Sequence, residues 1–435
     1  MTDTTESGHA DASDADGATD AGDADDVTAA ALADRVRDGE LRLYELEDHA
    51  DPDTAATARR RLVGGHQHSA FDSPETALSM TGEYAFPAAD AETNIENMTG
   101  AVQIPAGVVG PVTVDGDALG GERYVPMATT EGALLASVNR GCSVLDRAGG
   151  ATARVLQRGM TRAPVFRVAD VAAAQALVAW VEDHERRLRE AAESTTSHGK
   201  LDGVTPYVVG NNVFLRFTYD TKDAMGMNMA TIATEAACDV IETETDASLV
   251  ALSGNLCSDK KPAAVNAVEG RGRTVAADAT IPGAVVEAVL DTTPAAVAEV
   301  NTRKNHVGSA KAGSLGFNAH VANTVAAIFL ATGQDAAQVV EGSNAITTAE
   351  VVDGDLYVSL TIASLEVGTV GGGTKLPTQA EGLDVLGVRG GGDPAGSNAD
   401  ALAEATAVAA LAGELSLLSA LASRNLSGAH ADLGR

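Results

Sequence analysis

Residues 205–254 read TPYVVGNNVFLRFTYDTKDAMGMNMATIATEAACDVIETETDASLVALSG, and the changing period along them decides the fold. NVFLRFTY (212–219) alternates, putting Val213, Leu215, Phe217 and Tyr219 on one face of a strand. TPYVVG (205–210) is a second strand before it. MNMATIATEAACDVIE (227–242) switches to helical spacing, and SLVALSG (248–254) closes as a strand. Upstream, VFRV (165–168) is a short strand. Asp170 is placed to cap a helix running to about Ala192, with Glu182, Arg186 and Arg189 outward. The order β-α-β-β-α-β is the ferredoxin-like split βαβ arrangement. Patterned sequence resumes on both sides, so residues 164–252 are expected to be a small inserted domain. Residues 27–163 and 253–435 then form the rest.

The flanks set the fold class as α+β. Residues 1–26 are Asp, Ala, Thr and Gly with almost nothing to bury, and are expected to be a disordered acidic tail. Residues 27–64 carry Leu32, Val36, Leu41, Leu43, Leu46 and Leu62 at helical spacing. Loops and short strands follow to about Val125, punctuated by Pro105, Gly107, Gly110 and Pro111. MATTEGALLASVNRGC (127–142) has helical periodicity. A strand is expected near Val275, helices near 293–303 and 317–332, and a strand over Leu356–Leu365. A long Ala/Leu-rich helix runs from about Asp400 to Leu421. GFNAHVANTVAAIFLATG is apolar nearly all round, which predicts a central buried helix in a large mixed α/β domain.

The net charge is -31, and residues 1–26 contribute nine acids and no base, leaving -22 on the rest. That excess disfavours nucleic acid, which needs a basic surface. Seven residues are Lys against 23 Arg. A strongly acidic, lysine-poor chain is similar to proteins of salt-loving organisms, where salt screens self-repulsion; the alternative is an ordinary acidic cytosolic protein. Cys142, Cys238 and Cys257 are scattered without CxxC spacing, which points to a reducing compartment and no structural zinc. No apolar run approaches the ~20 residues of a membrane span, and no secretory signal is visible. The expectation is a soluble cytoplasmic protein with no membrane partner.

Several segments carry chemistry. Glu131 sits beside two threonines and among small residues. It serves either as first-turn helix chemistry or, if burial holds it protonated, as a proton donor. DAMGMNMA (223–230) lies between a strand and a helix, where backbone N–H groups can face an anion. GTVGGGTKLP (368–377) lets backbone approach a flat ring; both segments also read as simple turns. No GxGxxG or Walker A pattern is present. Lys260 and Lys261 are two of the seven lysines and adjoin Asp259, as a catalytic or anion-binding group or as a solvated charge pair. Asp335 of GQDAAQ follows the apolar helix and also reads as a cap. His430 stands alone near the C-terminus, where a surface role is the alternative.

Together these motifs closely resemble the class I 3-hydroxy-3-methylglutaryl-coenzyme A reductases, in a soluble archaeal form, over about residues 60–430. ENMTGAVQIPAGVVGP, MATTEGALLASVNRGC, GMTRAPV, DAMGMNM, DKKPAAVNAVEGRG, VGSAKAGS, NAHVAN, GQDAAQ, GTVGGGT and the terminal His follow the family's order. The resemblance implies catalytic roles for Glu131, Lys260, Asp335 and His430. It implies substrate contacts at Arg162, Ser253, Asp259, Lys261, Lys304 and Asn323, and cofactor contacts at Asp223, Met225, Gly226, Met227, Asn228, Gly371, Gly372 and Gly373. The family's ENVIG-like loop reads ENMTG here, with Glu96 and Asn97 kept. No serine stands just beyond His430 in the sequence, and the resemblance is expected to be to a minimal form without the regulatory serine and membrane anchor of eukaryotic members.

The implied reaction reduces 3-hydroxy-3-methylglutaryl-coenzyme A to mevalonate with two NADPH, releases coenzyme A and uses no metal. Lys260 would stabilise the thioester oxyanion, His430 would protonate the departing thiolate, and Glu131 would protonate the final alcohol. Asp335 would keep the lysine charged and the glutamate protonated. The inserted domain would hold the NADP, and the resemblance implies a homodimer or dimer of dimers with active sites at the subunit interface. Two alternatives are an NAD-linked oxidative enzyme, which MATTEG disfavours, and a non-catalytic acyl-coenzyme A binding homologue, which the intact Glu131, Lys260, Asp335 and His430 disfavour.

Overall fold

The alternation in NVFLRFTY becomes a strand whose Val213, Leu215 and Phe217 are wholly buried, with Tyr219 nearly so. It belongs to a computed structural model that describes residues 28–64 and 79–423; the acidic segment 1–26 and His430 lie outside them. The described residues form two compact units, one ending at Ala101 and one starting at Val102.

In the first unit the helices Ala29–Arg37 and Pro52–Gly64 and the 3₁₀ turn Leu43–Asp48 close over Leu32, Leu46, Ala55 and Ala58. Thr28 caps the first helix through its side chain. Arg59 is buried there and forks onto Glu47, with N···O distances of 2.6 and 2.5 Å.

The second unit holds ten strands: β1 (Ala106–Gly116), β2 (Gly120–Ala128), β3 (Ala151–Arg162), β4 (Val165–Arg167), β5 (Lys200–Val209), β6 (Asn212–Asp220), β7 (Ser248–Ala251), β8 (Arg271–Ile281), β9 (Ala345–Val352) and β10 (Asp355–Leu365). The path through the sheet is β7-β4-β6-β3-β8-β10-β9, with β5 beside β6, β1 beside β3 and β2 beside β1. β3 pairs with β8 along most of its length, and its last residues, Met160–Arg162, pair with β6. One strand thus joins two cores.

Around β6 the order β7-β4-β6-β5, all antiparallel, is that of the ferredoxin-like unit. Its helices are Val171–Asp183, Glu185–Glu193 and Met227–Glu244. Asp170 caps the first, its carboxylate accepting from Ala173 N at 2.8 Å. The single helix expected to about Ala192 is interrupted at His184, whose ring stacks on Trp180 and whose Nδ1 meets the Trp180 carbonyl oxygen at 2.8 Å. An apolar cluster drawn only from residues between Met160 and Ala247 fills this unit.

The larger core lies against β1, β2, β3, β8, β9 and β10. The helix Val321–Thr332 is buried as expected, starting four residues later than the sequence predicts because Phe317 bridges to Ile346 and Asn318 binds the chain at Ser343 and Ala345. The most enclosed element is the helix Ser397–Ala422, buried nearly all round. It is long and apolar enough to cross a membrane, and 83% of that stretch is buried inside the fold. Its three acids are all engaged. Asp400 pairs with Arg273 and Arg158 at 2.7 and 2.6 Å. Glu404 accepts from the backbone of Asp117, Ala118 and Leu119 in the β1–β2 turn. Glu414 accepts from Ala319 N and His320 N ahead of the helix Val321–Thr332, and from Thr347 Oγ1 in β9. Buried carboxylates here organise loops.

Three further expectations change, and one strand was not foreseen. The region to Val125 is a long hairpin, β1–β2, whose register slips at Gly110–Pro111, where proline cannot donate to the ladder. β9 pairs with β10 although its sequence, AITTAEVV, lacks clean alternation. The helix near 293–303 is Pro294–Val300, continued by a π-helical stretch Asn301–Gly308 and the turn Ser309–Ala312. MATTEG is not helical: Met127 and Ala128 end β2, and the helix spans Leu134–Arg147 after Ala133 at φ 67°. Glu131 is therefore in the connecting turn, not in a first helical turn.

Candidate active site

The loop from Ser253 to Pro262 is built on left-handed backbone at Asn255, Ser258 and Lys260, with φ of 63°, 45° and 58°. Such conformations persist in non-glycine residues only where neighbours impose them. At this loop's far end Lys260 Nζ lies 2.7 Å from Asp335 Oδ2. The other oxygen of Asp335 accepts from Ala337 N at 3.1 Å, so the cap and the ion-pair readings of this residue both hold. The hydrogen bond that Lys260 donates to Asp335 raises the Lys260 pKa against a smaller opposing effect of burial. Lys260 is thus a permanent ammonium at neutral pH, suited to stabilising negative charge.

Beneath Lys260 sits a buried ionic cluster. Arg271, at the start of β8, lies 3.0 Å from Asp259, 3.4 Å from Glu341 and 3.3 Å from Glu366. Its guanidinium also meets Gln338 Oε1 at 3.3 Å and Met227 Sδ at 2.8 Å. Burial works against ionisation of Asp259. The hydrogen bond from Gln338 and the charges of Arg271, Lys260 and Arg162 outweigh it and hold the carboxyl below its ordinary range. Burial pushes Glu366 up to about 8, so it is protonated at neutral pH. Burial also raises Glu341, opposed by the Lys260 backbone N–H and Arg271.

Glu131 is exposed. Its N–H donates to Thr129 Oγ1 at 3.0 Å, and its carboxylate accepts from Asn323 Nδ2 at 3.2 Å. Among the described residues no hydrogen bond or ion pair joins Glu131 to Lys260 or Asp335. The site residues of this chain therefore fall into two separate pairs, Lys260–Asp335 and Glu131–Asn323.

Two glycine-rich segments meet beside Lys260. Ala224 bridges to Val370, and Thr369 N donates to Asp223 O at 2.8 Å. A Cβ at Gly368 would overlap the Met225 nitrogen, so only glycine permits this approach. Gly368 N also donates to Gln334 Oε1 at 2.9 Å, next to Asp335. The helix Met227–Glu244 begins here with no side-chain cap and no acid in its first turn. Its free N–H groups suit an anion. Asn228, Gly371 and Gly372 are exposed, and Gly373 and Met225 are half-buried. Asp223 has a different occupation. Its buried carboxylate accepts from the backbone N–H groups of Gly392, Gly396, Asn398 and Ala399, capping the helix Ser397–Ala422. It anchors the glycine loop to the core helix.

The remaining candidate residues have partners of their own. Arg162, at the end of β3, donates to Thr231 Oγ1 at 3.0 and 2.6 Å. Ser253 Oγ lies 3.8 Å from Cys257 Sγ. Lys261 is exposed and its ammonium donates to the Asp259 carbonyl oxygen at 2.9 Å. Lys304 projects from the π-helical stretch with only a 3.5 Å contact to Asn305. Among the described residues no group of His, Cys, Asp and Glu is arranged to hold a metal.

The sequence profile of the family "Hydroxymethylglutaryl-coenzyme A reductase" matches residues 55–435. The chain belongs to this family. A 3-hydroxy-3-methylglutaryl-coenzyme A reductase of Haloferax volcanii is 74% identical, covering 92% of this chain and 98% of that protein. One of Halobacterium salinarum is 68% identical, covering 92% and 98%. The fold is shared with a solved structure described as the class II reductase of Streptococcus pneumoniae bound to NADPH in open conformations. That match has a TM-score of 0.62 and 22% identity, and covers 77% of this chain and 89% of that one.

Within this reductase-family chain, sequence reasoning passed over Arg271, Gln338, Glu341 and Glu366. Arg271 lay inside a quoted motif without a role, and Glu341 follows GQDAAQ as an unremarkable acid. The available signal was Glu366, an acid two residues from the glycine run and at the end of an apolar strand. A charge in such a position needs a partner.

Proposed function

We propose that the chain catalyses the two-step reduction of 3-hydroxy-3-methylglutaryl-coenzyme A to mevalonate with two NADPH, releasing coenzyme A, as a class I enzyme of isoprenoid biosynthesis. The observation that carries this is the Lys260–Asp335 pair standing beside the junction of the two glycine-rich segments. That junction fits a dinucleotide: an uncapped helix N-terminus faces it, and glycines without side chains line it. Met225, Gly226, Met227, Asn228 and Gly371–Gly373 would hold the cofactor. Residues 164–252, with their own apolar cluster, would be the inserted NADP-binding domain. Asp223 contributes by fixing the loop.

Bound NADPH supplies the hydride, twice per turnover. The Lys260 ammonium stabilises negative charge as it develops on the thioester oxygen. As the C–S bond of the hemithioacetal breaks, His430 gives its proton to the coenzyme A sulfur, which leaves as the thiol, while mevaldehyde stays in the site to be reduced by the second hydride. Glu131 donates the proton that completes the primary alcohol. Arg162, Ser253, Asp259, Lys261, Lys304 and Asn323 position the acyl portion, with Lys304 and Arg162 suited to its free carboxylate.

Glu131 pairs with Asn323 rather than with Lys260 or Asp335. This supports a homodimer, or a dimer of dimers, in which a second copy completes each site. A soluble cytoplasmic enzyme fits the burial of the one helix among the described residues that is long and apolar enough to cross a membrane. The purified protein, assayed with the acyl-coenzyme A at low and high salt, is expected to consume two NADPH per mevalonate and to prefer NADPH to NADH. Binding of the acyl-coenzyme A without cofactor oxidation would instead establish the non-catalytic homologue.

A further inference from the structure

The segment that supplies Asp335 grips Lys260 twice. Asp335 holds the ammonium, and six residues later Glu341 Oε1 accepts the Lys260 backbone N–H at 2.6 Å. Lys260 is the residue of the loop with φ 58°, and it is exposed. Glu341 is fully buried. The same oxygen faces Arg271 at 3.4 Å, while Glu341 Oε2 has no partner. Arg271 also holds Asp259, the residue before Lys260, and Gln338 donates to the same Asp259 oxygen at 2.8 Å. One peptide unit, Asp259–Lys260, is therefore pinned from below by Glu341, Arg271 and Gln338. A buried acid with one oxygen committed to a single backbone N–H is costly unless that contact is needed.

We propose that Glu341, buttressed by Arg271, is a positioning residue that holds Lys260 in its left-handed backbone conformation and so aims the ammonium at the reacting carbonyl oxygen. It does not touch substrate or cofactor. Because one oxygen makes both contacts, an amide suffices for the task. The carboxylate charge is dispensable, whereas the reach of the side chain is not. Met227 Sδ against Arg271 ties the same cluster to the start of the cofactor-facing helix, so the lysine and the glycine junction share one rigid support.

This inference rests on the catalytic role given to Lys260, and the test separates the two. Glu341→Gln, Glu341→Asp and Glu341→Ala are made in the full chain, alone and with Lys260→Ala, and kcat and KM are measured with the acyl-coenzyme A and NADPH. Glu341→Gln should keep at least about a third of wild-type kcat. Glu341→Asp, whose carboxylate retreats by one methylene, and Glu341→Ala should lose about 10–100-fold in kcat, in keeping with an ångström-scale misplacement, with KM for NADPH within about twofold. In the Lys260→Ala background the Glu341 substitutions should cost almost nothing further, since Glu341 acts through that lysine. Should the alanine variant fail to fold, the contrast between Gln and Asp decides. Equal losses in Gln and Asp, wild-type kcat in folded Asp or Ala variants, or full additivity with Lys260→Ala would overturn the positioning role. Wild-type turnover by Lys260→Ala alone would instead remove the catalytic assignment on which it stands.

Discussion

Lys260 shows how a charge is kept available at an exposed position. Asp335 raises its pKa, so its proton is retained, and in the proposed reaction its contribution would be electrostatic. Lys260→Ala and Asp335→Asn are each expected to lower turnover about 100–1000-fold, the usual cost of an oxyanion contact, with the folded content unchanged by circular dichroism. Near-normal turnover in either would count against the pair. Glu366 makes a second, separate prediction. Its ordinary pKa is 4.5 and the folded value is about 8, because burial penalises its charge; Arg271 opposes this, and Glu341 and Asp259 also face the cluster. Below pH 4.5 both the folded and unfolded chains hold the proton. Between 4.5 and about 8 the unfolded chain releases it while the folded chain keeps it, so stability falls as pH rises through that window. Glu366→Gln, neutral at every pH, should flatten this decline, which denaturant midpoints between pH 5 and 8 will register. A slope as steep as wild type would mean that Glu366 is ionised in the fold. Lys260 and Asp335, which the structure pairs, were legible as motif residues. Glu341 and Glu366 were not, because their partner Arg271 is remote in sequence from both and no local pattern links them.

At the scale of elements, period and burial agree best where one face is apolar. β6 and the helix Met227–Glu244 follow their sequence patterns, and so does the helix Ser397–Ala422 within a few residues. Errors arose where a long-range contact replaced a local one. The Met127–Cys142 segment has helical spacing from its first residue, but β2 claims Met127 and Ala128 by pairing with β1. β9 owes its conformation to β10. Close packing makes a sharp demand at Gly141 of the helix Leu134–Arg147. A Cβ there would overlap the carbonyl group of Ala412 in the helix Ser397–Ala422. Gly141→Ala raises intrinsic helix propensity, worth about 1 kcal/mol in an exposed helix. Overpacking costs about 1–3 kcal/mol, and here the obstacle is backbone, which cannot swing aside. The clash wins, and the thermal midpoint should fall. An unchanged or higher midpoint would show that the two helices can separate freely.

Across the whole molecule, charge and core composition point to salt as a stabiliser. The body carries -22 without its first 26 residues, so self-repulsion is spread over the surface. Two effects of added KCl oppose each other. Screening weakens exposed ion pairs such as Arg186–Glu190 and Arg303–Glu299, whose side chains are largely in solvent. Each such pair is worth only about 0–1 kcal/mol at low salt, so little is lost. Screening also relieves the excess of like charge, which acts over the Debye length of about 10 Å at 0.1 M. The pairs that matter most, Arg271 with Glu341 and Arg273 with Asp400, are buried and largely shielded from dissolved ions. Relief of repulsion therefore exceeds the loss of surface pairs, and heat and denaturant midpoints should climb with KCl at fixed pH, beyond 0.1 M in particular. Substituting an uncharged osmolyte at equal osmolality separates screening from general exclusion effects, because only salt shortens the Debye length. A flat or falling midpoint across the KCl series would refute the salt dependence and leave the proposed active-site chemistry untouched, since that chemistry is argued from the Lys260–Asp335 pair and the glycine junction and not from net charge.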